Sequence, residues 1–245
     1  MSIVNLLKTS LARLKENPVI LVPILAISVV LAILSLLLIG SMVPQMGPFQ
    51  SDTTISAEEA VGFAGMAMGR FITLMVIGSI VGLLGHGMTV LMAHDALTGN
   101  AVSLKGAWNR TSGRIVALVL ASLLVGIIVS LGFVLLVIPG IVLAFFLMFT
   151  FVALMLNESN PLQAIGRSFQ VVKQHFASVF VFFLVLIALG VLVSILNMVI
   201  GLIPVLGSIL AVILGSVYAT FVSVFVVAVF NALTAHEGEA PDAEV

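Results

Sequence analysis

Three residues carry most of the chemistry that this apolar chain offers. His86, His94 and Asp95 lie close together, with His86 eight positions before His94. On a helix that spacing leaves the two imidazoles about 80° apart, on one side. Imidazole ligates metals and carries protons near neutral pH. As a metal centre the pair falls short, because no carboxylate stands within the surrounding apolar stretch and the chain has no cysteine. No Gly-x-Ser-x-Gly, His-Glu-x-x-His, Walker or EF-hand motif occurs. No pair of carboxylates sits in an apolar stretch to relay protons or hold sodium, which argues against an ion-coupled transporter. The expectation is a chain with no catalytic residues, no metal and no cofactor. His86, His94 and Asp95 remain as a candidate substrate or polar membrane site, with a hydrogen bond from His86 to a neighbouring helix as the plainer alternative. Asn197 and Tyr218 read as helix-to-helix hydrogen bonds, and His175 and His236 as interfacial. Arg70 is expected to snorkel at an interface, or to pair with Glu58 or Glu59.

The elements that position these groups follow from composition. Of 245 residues, 62% are hydrophobic and 8% charged, against about 45–50% and about 25% in soluble domains. So few charges cannot cover a water-soluble globule, and a net charge of −1 excludes a basic nucleic-acid face. No formal charge occurs between Glu16 and Asp52, Arg70 and Asp95, Arg114 and Glu158, or Lys173 and Glu237. Each gap exceeds the ~20 residues that a helix needs to cross a bilayer, and the last two hold two spans each. The expected turns are Ile138-Pro139-Gly140 and Gly201-Leu202-Ile203-Pro204. Six spans result, at 19–40, 71–93, 115–137, 141–157, 177–199 and 205–233. Helices are required, since unpaired backbone groups in lipid cost several kcal/mol each. The runs do not alternate as strands of a β-barrel would.

Six spans place both termini on one side, together with Lys8, Arg13, Lys15, Lys105, Arg110, Arg114, Arg167 and Lys173, eight of the nine Lys and Arg residues. That side is assigned to the cytoplasm of a cell membrane. The first apolar run is too long for a signal-peptide core and lacks an Ala-x-Ala site, so it is expected to be a retained span.

One unit repeats three times, over about 1–95, 96–159 and 160–236: a short amphipathic helix, an outward span, an outer turn and an inward span. Leu162, Ile165, Phe169, Val172 and Phe176 make one stripe, opposed by Gln163, Arg167, Lys173 and Gln174, with Asn160-Pro161 as N-cap and first residue. Ile3, Leu7, Leu11 and Leu14 make the earlier stripe, and Val102, Trp108 and Arg110 mark the weaker middle one. The outer turns carry Val43-Pro44 with Gly47, Ile138-Pro139-Gly140, and Ile203-Pro204 with Gly207. The expected fold is therefore an all-α transmembrane six-helix bundle. It comprises three helical hairpins about a pseudo-three-fold axis, each preceded by a cytoplasmic amphipathic helix on the leaflet. Residues 1–236 form one polytopic membrane domain. Residues 41–59 form an outer loop, 60–70 extend the second helix or lie at the interface, and 237–245 form an acidic cytoplasmic tail. Lipid does not drive helices together, so small residues should mark the packing faces. These are Gly78, Gly82 and His86; Ser122, Gly126 and Ser130; and Gly207, Ala211, Gly215, Ala219 and Ser223. The alternative is that such stripes line a path or a lipid-binding crevice.

Val137-Ile138-Pro139-Gly140-Ile141-Val142-Leu143-Ala144, the run from Phe149 to Ala153, and Asn160-Pro161-Leu162-x-Ala164-x-x-Arg167-Ser168-Phe169 form a recurring pattern, joined by the run from Ala96 to Leu104. Over roughly residues 80–180 it resembles the membrane domain attached to some bacterial glycerophosphoryl diester phosphodiesterases, and related stand-alone six-span proteins. The soluble phosphodiesterase domain is missing. The resemblance implies an all-helical membrane module without that activity, and no catalytic residues to carry over.

The function expected from sequence is a non-enzymatic integral membrane protein, a scaffold, accessory or lipid-interacting one. Its membrane-surface contacts are Lys8, Arg13, Lys15, Trp108, Arg110, Arg114, Arg167 and Lys173, which favour anionic lipids. A second copy or a partner membrane protein is the further candidate partner. The alternative is a transporter or channel for a small or lipid-like hydrophobic substrate.

Overall fold

The computed structural model describes residues 3–40, 57–158, 160–203 and 206–235. Among them every regular element is a helix, and six segments are long and apolar enough to cross a membrane. The chain is an all-helical, multi-pass membrane protein. Helix α1 spans Ile3–Glu16. A 3-10 turn at Pro18–Leu21 leads into α2, Val22–Gly40. Helix α3 spans Ala57–Leu97, α4 Leu104–Ser112, α5 Ile115–Leu135, α6 Val137–Phe146, α7 Thr150–Leu156, α8 Pro161–Gln174, α9 Phe176–Ile200 and α10 Leu206–Ala235. The expected turn residues Val43, Pro44, Gly47 and Pro204, much of the expected loop 41–59, His236 and the acidic tail lie outside the described residues.

Residues 60–70 extend the second span, one of the two expected outcomes, into one helix of 41 residues, about 60 Å long at 1.5 Å per residue. Two other boundaries differ from expectation. The turn between α5 and α6 falls on extended Leu136, and Pro139 lies inside the first turn of α6, where a missing N–H costs little. Gly132 and Gly140 let that turn close: a Cβ on Gly132 would lie 2.9 Å from the Gly140 Cα. The fourth span is interrupted at 147–149, which divides α6 from α7. Ser168 of α8 fills the interruption. Its hydroxyl accepts from the Phe149 N–H at 3.1 Å and donates to the Phe146 carbonyl at 2.8 Å, so both freed backbone groups are paired.

The short helices α1, α4 and α8 pack into one buried cluster with the ends of α3, α7 and α10. We call this the basal end. Val90, Met92, Phe149, Phe182, Phe225 and Phe230 are fully buried there. Toward the opposite, distal end the helices diverge, and Val134 is 83% and Met198 79% exposed. The docked face of α8 is Ala164, Ser168, Val171 and Val172, about a quarter turn from the stripe expected from sequence. Leu162, Phe169 and Phe176 of that stripe are exposed. In α1 the buried residues are Ser10 and Leu14, with Leu11 exposed, and in α4 they are Ala107 and Thr111. The expected N-cap Asn160 does cap α8, its side chain accepting from the Leu162 N–H at 2.9 Å, and Ser103 caps α4 through the Gly106 N–H.

Candidate functional site

His86, His94 and Asp95 all lie on α3, but the structure does not gather them. Asp95 is buried and its carboxylate pairs with the Arg110 guanidinium, which ties the end of α3 to α4. His94 Nδ1 lies 3.2 Å from Asn231 Nδ2 on α10. His86 Nδ1 lies 3.4 Å from Ser223 Oγ, also on α10, and its ring meets Phe151 of α7 edge-on, with centroids 6.1 Å apart. Both histidine contacts join residues 137 positions apart, so α3 and α10 run parallel in a constant register. Asp95 is thus a latch. Of the three, His86 alone lines a cleft. No group of three or more His, Asp or Glu stands together among the described residues.

That space is a cleft of about 830 Å³ between α3 and α5. Helix α3 contributes Gly78, Ser79, Gly82, Leu83 and His86. Helix α5 contributes Ser122, Gly126 and Ser130, separated by Leu123, Ile127 and Leu131. Two of the stripes expected to pack thus face each other across a gap. A Cβ at Gly82 or Gly126 would meet nothing within 4 Å. The distal reaches of the two helices are held apart because α5 turns back tightly onto α6 while α3 packs on α2 and α10. They close up at the level of Gly87, where an added Cβ would lie 2.8 Å from Thr111 and 3.2 Å from Leu118. His86 therefore sits at the cleft's closed end.

The other expected packing residues divide. At Gly78 an added Cβ would find the Leu31 side chain at 3.5 Å, an ordinary contact. At Gly207 it would overlap the Ile200 carbonyl oxygen, so this glycine is required by the approach of α9 to α10. Gly215 faces open space, and Ala211 and Ala219 are half-buried. Ser223, the last of the expected row, is buried together with the adjacent Ser216 and Thr220, and the three hydroxyls donate back to carbonyls one turn earlier.

Among the residues expected at or facing the membrane surface, Lys8, Lys15, Lys105, Trp108 and Lys173 are exposed. Arg13 pairs with Glu16, and Arg167 lies half-buried beside a polar pocket with Gln163 and Glu158. Arg110 and Arg114 have internal work. Arg114 donates to the Leu154 and Met155 carbonyls at 2.8 and 3.0 Å, capping the negative end of α7. Arg70 donates to the Leu38 carbonyl near the end of α2 at 2.9 Å. Sequence reasoning read Ser223 as a packing residue without linking it to His86, and missed the roles of Phe151 and the plug Ser168. For Ser168 a signal existed, because Ala164/Ser168 and Ala107/Thr111 are small pairs one turn apart, each following an N-cap at the same distance. No curated protein and no solved structure matches the chain. A family model does, over residues 1–237, and its description is a domain of unknown function. Covering nearly the whole chain, that match makes the protein a member of the DUF7847 family.

Proposed function

We propose that this is a non-enzymatic integral membrane protein that holds a lipid or lipid-like molecule in the cleft between α3 and α5. What supports the reading is the emptiness around Gly82 and Gly126. Small residues in a bundle ordinarily let helices touch; here they widen a gap that opens sideways within two membrane-spanning helices, where acyl chains are the solvent. A volume of about 830 Å³ suits a ligand of ordinary size. Transport of the same lipid-like molecule is the second reading, favoured by the polar His86 at the closed end.

The reading includes the topology. Both termini and the basal end lie in the cytoplasm, with α1, α4 and α8 on the inner leaflet and the pairs α2/α3, α5/α6 and α9/α10 as three hairpins. The contacts within each pair support this, as does the gathering of eight of nine cations on one side. Lys8, Lys15, Lys105 and Lys173 would meet anionic headgroups, and the exposed Leu162 and Phe169 would dip into the acyl layer. The resemblance to phosphodiesterase membrane domains enters only as an all-helical module without that chemistry. The test is native mass spectrometry of the purified chain. Wild type should carry a lipid-like adduct, and Gly82→Leu with Gly126→Leu should fill the cleft and lose it while staying folded. A bare wild-type chain, or an adduct undiminished in the double variant, overturns the reading.

A further inference from the structure

The hydrogen bonds around the cleft define what kind of molecule fits it. Ser223 has one hydroxyl hydrogen, and it goes to the Ala219 carbonyl at 2.9 Å. Toward His86 the same oxygen can only accept, so the 3.4 Å contact calls for a hydrogen on Nδ1. A neutral imidazole with its hydrogen on Nδ1 carries its lone pair on Nε2. Among the described residues Nε2 has no hydrogen-bond partner, while the ring forms part of the cleft wall. Ser79 donates to the Met75 carbonyl at 2.6 Å, and Ser122 to the Val119 carbonyl at 2.8 Å. Their oxygens also face a ligand as acceptors. His86, Ser79 and Ser122 thus accept and do not donate; Ser130, farther along α5, is the remaining polar group, and the rest of the lining is hydrocarbon or glycine.

We infer that the cleft takes a single hydrocarbon chain ending in a hydroxyl group, a long-chain alcohol, whose hydroxyl donates to His86 Nε2. This rests on the lipid-binding reading above and narrows it. The chain runs distally from His86 between the glycines, along a cleft about 22 Å long from Val119 to Val134 on α5. A chain ending in an ether or ester would set acceptor against acceptor and leave His86 unpaired. One lost hydrogen bond of this kind costs about tenfold in occupancy.

The experiment uses the full chain in phospholipid nanodiscs and two photoreactive probes, hexadecanol bearing a mid-chain diazirine and its methyl ether. Labelling is read by mass spectrometry of peptides from α3 and α5. The alcohol should label about tenfold more than the ether. His86→Phe should bring the ratio near one, and His86→Gln, which keeps an acceptor, should restore part of the preference. Ser223→Ala leaves the imidazole in place but frees its Nδ1 hydrogen, and should lower the preference several-fold. Equal labelling by the two probes in the wild type overturns the inference while the lipid-binding reading stands. A preference that survives both His86→Phe and Ser223→Ala also overturns it. If neither probe labels the cleft peptides, both readings fall.

Discussion

The basal and distal halves of the bundle use the same residue types to opposite ends. At the base, Ala93, Ala107, Ala164 and Ser168 are buried and bring backbones together. Distally, Gly82, Gly126 and Gly215 have nothing against them. Aromatic rings follow the same division: Phe149, Phe182, Phe225 and Phe230 form a group of stacked, tilted and edge-on pairs in the base. The difference teaches that a small residue in a membrane helix is permission to pack, and a neighbour must still be delivered. In the base, α1, α4 and α8 deliver it, and two of them are anchored by a polar device. Asp95 with Arg110 fastens α4, and Ser168 fastens α8 to the interrupted fourth span.

The sharpest way to break this contrast is to make the same kind of truncation in both halves. Phe230→Ala should lower stability by about 3–5 kcal/mol, because it leaves a cavity in a fully packed site. Ile195→Ala, toward the distal end of α9 at a position 56% exposed, should change it by about 0.5 kcal/mol or less. Unfolding in mixed micelles, followed by circular dichroism, checks both, and equal losses would abolish the distinction between halves. Next in size, Asp95→Ala should cost about 1–3 kcal/mol, since it strips a buried carboxylate from an arginine that is itself half in contact with solvent. Its signature should be faster proteolysis near Lys105 and Arg110, with the distal helices unchanged. A somewhat smaller loss than for Asp95→Ala is expected for Ser168→Ala, about 1–2 kcal/mol, from leaving the Phe149 N–H and the Phe146 carbonyl unpaired. Hydrogen exchange should rise at Phe149 and Thr150 and stay put in α9. If exchange there is unaltered, Ser168 is not what holds the interruption.

Much of the fold was legible beforehand. Ile115–Leu135 and Phe176–Ile200 fall within two residues of the apolar runs read from sequence, and Asn160 caps α8 as expected. The site was only half legible. His86 and the stripes beside it were marked, but whether Gly82 and Gly126 would touch a helix or face a gap was not. Nor was the loss of Asp95 from any site, since its fate depends on Arg110, 15 positions away. The buried face of α8 was misplaced because Leu162 and Phe169 look like core residues in any alphabet of apolar and polar types, while Ala164 and Ser168 do not.

Hydropathy reports the transfer of one segment into lipid, and that quantity belongs to the segment alone. From it the sequence by itself determined that this chain has six helical segments long and apolar enough to cross a membrane. Which face of each helix meets another helix is a property of pairs. Lipid tails are as apolar as leucine, so no gradient of polarity separates the inside of the bundle from the outside. Only the tertiary structure therefore decided that the base closes, that the fourth span breaks around Ser168, and that His86 ends an open cleft.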